Sequence, residues 1–320
     1  MVDDPFHRFG KTASPPTAAP TAAPAPALFR SGAGAGVLTE GEILSLIERI
    51  PSMPVIVTQL LTKVGNASAN SGDLEELIKQ DLAIAGRLLK LVNSPFFGLG
   101  HQVASISEAV QIVGYSSLKC LVIAASAANI LAVDLASYGF SDRGLWRNAV
   151  ATASVARAIG LKAKASPSES EAYFAAGLLR DIGMLVLGPV LTQRQQRLSA
   201  TPAGKEHDIQ AREREVLGFD HGWVGARAAE KWGLPANLKL CIVHHHRIPA
   251  TTTIEELRLL ATVRLAERLV YATGVGVLKD HPFDARLEPI LIQASGLGAE
   301  RFEGLIKELP QIIKAAEMTG

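Results

Sequence analysis

The residues of this 320-residue chain best suited to hold a metal or move a proton fall in its second half: Asp181, His221, the run His244-His245-His246, and Glu267. Imidazole nitrogens and carboxylate oxygens drawn from several helices are what a hydrolytic metal centre requires, with one position left open for water. One neighbour argues against that chemistry. In AGLLRDIGMLVL, Ala176 to Leu187, Asp181 is preceded by Arg180 within an otherwise apolar stretch. A guanidinium does not deprotonate and cannot ligate. Two unit charges 4 Å apart interact by ~4 kcal/mol at an effective dielectric of 20, so a divalent cation facing Arg180 meets strong repulsion. Either Arg180 turns to solvent at a helix turn, or it turns inward and pairs with Asp181 or Glu267 in place of a cation. The three consecutive histidines cannot all face one site, because neighbours on a helix point about 100° apart. Ahead of Pro249 they read as groups that bond the last carbonyls of a helix and favour its negative end.

The elements that must position these residues are helices. Sustained period-two alternation is absent, and helix punctuation is dense. Capping boxes are expected at Ser105 with Glu108, Ser166 with Glu169 and Thr253 with Glu256, the second strengthened by Pro167 at the first helical position. Lys231-Trp232-Gly233-Leu234-Pro235 reads as a helix stop and restart. Helices are predicted near 40–49, 54–64, 71–80, 82–93, 105–113, 116–136, 142–160, 167–187, 204–217, 220–232, 236–247 and 253–273, which makes the chain all-α. The Ala/Pro-rich residues up to 37 read as a disordered leader.

Composition narrows the function classes. Lys and Arg number 32 against 31 Asp and Glu, so no global field steers the chain to nucleic acid or anionic membrane. The longest apolar run, Leu121 to Val133, is interrupted by Ser126 and Asn129 and falls short of the ~20 residues of a membrane span. The first residues do not read as a secretory signal. Cys120 and Cys241, each in an apolar run, argue for free buried thiols in a reducing, cytoplasmic setting. No phosphate loop, nucleophile elbow or paired-cysteine zinc motif occurs, and no cofactor is expected.

Ile50 to Ser126 resembles the opening of the HDOD family, the HD-related output domains of bacterial signalling proteins. The resemblance rests on Pro51 and Pro54 framing Met53, an acidic helix start at Asp73, Asp81 before an apolar helix, the turn Asn93-Ser94-Pro95-Phe96-Phe97-Gly98, and Ile106 to Gly114 followed by Tyr115. Leu82 departs from the pattern, where the family usually has proline. The resemblance implies two packed helical subdomains, an N-terminal bundle over 38–139 and an HD-like bundle over 141–273, with 274–320 as a helical cap.

Carried further, it implies a degenerate metal site. Where HD hydrolases have a first His, this chain has Asn148, and where they have His-Asp it has Arg180-Asp181. His221 matches a later His, His244-His245 a histidine pair, Glu267 stands for an Asp, and Met184 stands where a lysine is common. No metal is expected; if one binds, its ligands would be Asp181, His221, His245 and Glu267. The implied function is a non-catalytic regulatory module that acts through a signalling protein partner, with Phe96, Phe97, Trp146 and Arg180 as candidate contacts. A metal-dependent phosphohydrolase or phosphodiesterase acting on a nucleotide or cyclic dinucleotide is the rival reading. A DNA-binding helix-turn-helix over Asp73 to Ser94 is a weaker one, because Leu82 to Val92 offers mainly Arg87 and Lys90 to reach bases.

Overall fold

The computed structural model describes residues 37–62, 75, 76, 78, 81–93, 100–140, 143–194, 198, 209–275 and 286–317. The Ala/Pro-rich leader, most of the helix predicted near 71–80, and Phe96 and Phe97 lie outside them. Among the described residues all regular structure is helical. In chain order α1 is Glu40–Ile47, α2 Val55–Thr62, α3 Leu82–Val92, α4 Ile106–Val113, α5 Tyr115–Leu131, α6 Gly144–Lys162 and α7 Pro167–Leu179. After these come α8 Met184–Gln193, α9 Ile209–Leu217, α10 His221–Lys231, α11 Ala236–His244, α12 Ile254–Thr273, α13 Leu287–Ala294 and α14 Ala299–Glu317.

Helix starts obey the capping chemistry of the sequence. Ser166 and Thr253 form complete boxes with Glu169 and Glu256. At Ser105 only half the box forms, because the Glu108 carboxylate takes the Ala104 N–H and contacts His101 instead of reaching back to the cap backbone. A further box, Thr39 with Glu42, opens α1. Gly233, at φ 65°, ends α10 in the left-handed region, and Pro235 caps α11.

α6 packs on α7, α12 and α14, while α5 joins α7 to α3, α4 and α2. The apolar core is one contiguous cluster running from Leu38 to Ala316. Polar contacts tie its ends together: Lys231 Nζ donates to the Ile47 and Glu48 carbonyls, and the Trp232 indole to Pro51 O. Both cysteines are free and buried. α14 is pinned across α6 by Lys162 and Glu308 at 2.8 Å and by Arg147 with Glu317.

One helix boundary sets the geometry around Asp181. The helix predicted over 167–187 is divided into α7 and α8 by a tightened segment, Arg180 to Gly183, where the N–H groups of Ile182, Met184 and Leu185 reach back three residues while Arg180 and Gly183 keep right-handed helical dihedrals. Pro167–Gln193 is apolar and long enough to cross a membrane, but 94% of its most apolar window is buried within the protein. Gly183 lies at a close crossing with α10. A Cβ on Gly183 would lie 1.9 Å from the His221 carbonyl oxygen and 2.7 Å from the Gly225 nitrogen. Only glycine admits that approach, and it sets the Arg180-Asp181 pair opposite His221.

Candidate functional site

Asn148 projects from α6 and is completely buried. Arginine can only donate, so the Asn148 atom facing Arg180 Nη2 is its Oδ1, and its Nδ2 then donates to Val275 O at 3.1 Å. Arg180 is 0% exposed. Besides Asn148, it donates from Nη1 to Gly177 O at 2.7 Å, and it pairs with Asp181 Oδ2 at 2.9 Å and with Glu267 Oε1 at 3.5 Å. The guanidinium therefore lies inward, among the residues that stand where HD hydrolases carry metal ligands. Burial works against its charge, but Asp181 and Glu267 outweigh that cost and raise its pKa above the ordinary value.

Asp181 faces two ways. Oδ2 meets Arg180, while Oδ1 lies 3.2 Å from His245 Nε2 and 3.6 Å from His221 Nε2. Burial alone would raise its pKa, yet Arg180, His245 and His221 hold the carboxyl well below the usual carboxylate range. Neither oxygen accepts a well-directed hydrogen bond.

His221 opens α10, capped by Asp220, whose side chain accepts from the Trp223 N–H. Glu213 on α9 approaches from the far side: its Oε2 takes the His221 ring Nδ1 at 2.7 Å and the His221 backbone N–H at 2.8 Å. Tyr138 donates to the other Glu213 oxygen at 2.6 Å. Burial would lower the His221 pKa, but Glu213 and Asp181 raise it to about 9. His245 turns Nδ1 to the Ile242 and Cys241 carbonyls at 3.0 and 3.3 Å, the helix-end bonding expected for this run.

The inward histidine pair is His245 and His246, one residue later than the sequence placed it. α11 ends at His244. His246 therefore lies past the end of the helix, is freed from the helical 100° offset, and brings Nε2 to 3.1 Å from His221 Nε2. His244 is half-buried, and burial beside His245 lowers its pKa. Glu267, expected as a ligand if any metal binds, instead pairs with Arg180 and accepts from Arg264 at 3.1 Å. Trp146, expected as a groove contact, is 1% exposed in the core and lines no open surface. Arg180, offered as a partner contact as well, is likewise inaccessible.

The sequence did not single out Glu213, Tyr138 or Arg264, and it named His246 only as part of the histidine run. Glu213 lies in an ordinary charged helix, AREREVL, and nothing local separates it from its neighbours.

The HDOD domain profile matches residues 50–248, more than half of the chain. The chain belongs to the HDOD family. An uncharacterized protein of Treponema pallidum is 29% identical over 232 residues, 71% of this chain, and the chain spans only 43% of that relative's length. The fold is that of an HDOD domain protein of unknown function from Geobacter sulfurreducens (TM-score 0.69, 20% identity, 88% of this chain and 99% of that one). It is also that of a provisionally named phosphohydrolase from Shewanella amazonensis (TM-score 0.63, 22% identity, 87% and 98%). A provisionally named signal transduction protein from Marinobacter aquaeolei shares it too (TM-score 0.63, 19% identity, 87% and 65%). At the position where the HD superfamily implies a metal, this HDOD domain does not fit one: an amide and a fixed cation occupy it, and the adjacent acids are already committed to two guanidiniums.

Proposed function

We propose that this HDOD domain is a non-catalytic signal-transduction module, working in the cytoplasm through a protein partner. The observation that carries the reading is the buried Arg180 guanidinium, bonded to Asn148, Asp181 and Glu267. A hydrolytic centre needs a cation that can polarise a phosphoryl oxygen and activate water. A guanidinium wedged among four protein acceptors can supply charge, but it offers no open coordination position. The scaffold keeps its packing, and its core carries a fixed organic cation.

One observation favours the rival reading of a metal-dependent phosphohydrolase: Asp181, His221, His245 and His246 bring four donor atoms together. A single assay separates the two. Purified protein with excess manganese is incubated with bis(p-nitrophenyl) phosphate and with a cyclic dinucleotide, beside the Asp181→Asn variant. The module reading expects no product above a protein-free control. Metal-dependent product release that vanishes in Asp181→Asn establishes the hydrolase reading instead.

A further inference from the structure

Beside Arg180 lies a second set of donors with a different geometry. Four donor atoms, one each from Asp181, His221, His245 and His246, all lie within 4.8 Å of one another. The separations resolved between them are 3.1 Å for His221 to His246, 3.3 Å for His221 to His245, 3.2 Å for Asp181 to His245 and 3.6 Å for Asp181 to His221. Zinc–nitrogen bonds of about 2.0–2.1 Å in a tetrahedron place ligand atoms about 3.3–3.4 Å apart. These four of the six spacings straddle that value, and the set as a whole lies within 4.8 Å.

The hydrogen bonds aim these atoms inward. Glu213 occupies His221 Nδ1 as an acceptor, so that nitrogen keeps its proton, and Nε2 is the nitrogen that faces Asp181, His245 and His246 and gives up its own proton when a cation binds. Backbone carbonyls do the same for His245. Two imidazole Nε2 atoms and Asp181 Oδ1 therefore converge in a buried space. Such a convergence is costly unless a proton or a metal cation lies at its centre. Three carboxylates, Asp181, Glu213 and Glu267, surround the region against two guanidiniums, Arg180 and Arg264, and an ion that binds displaces the proton His221 otherwise holds there.

We propose that Asp181, His221, His245 and His246 hold one divalent transition-metal ion of the zinc class in a closed tetrahedral site beside Arg180. The site is displaced from the Asn148 and Arg180 position, where a metal does not fit. Three nitrogens and one oxygen match the donor preference of zinc over magnesium or calcium. Asp181 divides its charge, with Oδ2 on Arg180 and Oδ1 on the ion. His246 is the ligand that must adjust. Its Nδ1 receives Arg264 Nη1 at 3.1 Å, and ligation through Nε2 moves the ring proton to Nδ1. Arg264 then keeps its other acceptor, Glu267 Oε2, also at 3.1 Å. With all four positions filled by protein, the ion has no site for water or substrate, so its role is structural or sensory. The inference goes beyond the module reading and stands apart from it, because metal binding and turnover are measured separately.

The test uses the full chain, stripped with a chelator and titrated with zinc or cobalt(II) alone. One ion per chain is expected, with cobalt giving the intense visible bands of tetrahedral coordination. His246→Gln, at the half-buried rim, should keep its helical circular dichroism while losing at least tenfold in affinity, and His244→Gln should bind as the parent does. If His246→Gln fails to fold, the cobalt spectrum of the parent and the His244→Gln titration decide the matter. Sub-stoichiometric binding, the faint bands of octahedral cobalt, or a loss on His244→Gln equal to that on His246→Gln overturns the proposal.

Discussion

Arg180 Nη2 lies 2.9 Å from Oδ2 of Asp181, its own neighbour in sequence, and both side chains are buried. The backbone at Arg180 keeps right-handed helical dihedrals, φ −55° and ψ −35°, so the two side chains leave the chain about 100° apart. They meet because the long Arg180 side chain folds back into the core, where Gly177 O and Asn148 hold its guanidinium beside Oδ2.

Removing the guanidinium leaves Asp181 and Glu267 with less compensation. Breaking a buried ion pair by deleting one partner costs about 3–5 kcal/mol, and Arg180→Met is expected to lose stability in that range in urea denaturation. Arg180→Lys should recover only part of it, since an ammonium cannot fork to Asn148, Asp181 and Glu267 together. A loss under about 1 kcal/mol for Arg180→Met would show that the network contributes only as much as a surface pair.

Asn148 and Arg180 are the two positions where donors of the HD type are missing, so restoring both should restore a binding position. The double variant Asn148→His with Arg180→His places two imidazoles beside Asp181 and Glu267, and the buried carboxylates then need a cation. Manganese or iron retention after gel filtration, measured by elemental analysis, is expected to rise by one equivalent over the parent chain. Equal metal content in the two proteins would mean that Arg180 does not fill a metal position.

Most of the helical frame is legible in the sequence because caps are local chemistry: Ser166, Thr253 and Gly233 act within a few residues of themselves. The close crossing at Gly183 in AGLLRDIGMLVL is not legible, because the α10 backbone it meets is about forty residues away and Gly183 alone is a weak signal. The site divides in the same way. Asp181 and His221 stand out by residue type, whereas Glu213 and Arg264 are recognised only by what they touch. The histidine register slipped by one because a helix end, unlike a helix interior, carries no fixed angular offset.

That close crossing gives a direct test on two glycines. At Gly183 an added Cβ would overlap the His221 carbonyl, a backbone atom that cannot swing away. Overpacking of this kind costs about 1–3 kcal/mol or more, so Gly183→Ala should unfold at clearly lower denaturant. Gly86, within α3, has nothing within 4 Å of its would-be Cβ. Gly86→Ala should gain roughly 0.5–1 kcal/mol from helix propensity. Equal midpoints for the two variants would show that the crossing yields to a side chain at Gly183.

The Ser166 capping box should show in the acid limb of the stability curve. Hydrogen bonds from the Ser166 side chain and backbone lower the Glu169 pKa below its ordinary 4.5. A carboxyl depressed in the folded state stabilises above the unfolded value and stops doing so as pH falls through the folded one. The melting-temperature difference between the parent and Glu169→Gln should therefore be constant near neutral pH and shrink below about pH 4.5. A gap that widens on acidification would reverse the assigned sign.

Glu213 is the sharpest probe of the cluster because it touches His221 without facing the other donors. Its Oε2 fixes the His221 ring from Nδ1, and its Oε1 is held by the Tyr138 hydroxyl. Carboxylates that orient a ligating histidine in this way typically carry 10–100-fold in metal affinity. Glu213→Gln keeps the shape but loses the charge that favours a cation on the far side of the ring, so zinc affinity should fall within that range. Tyr138→Phe removes only a bond to the carboxylate and should fall less. Competition against a chromophoric chelator measures both, with circular dichroism confirming the fold. If Glu213→Gln binds as tightly as the parent, the ring is positioned by its packing and its backbone N–H, and the carboxylate serves the fold alone.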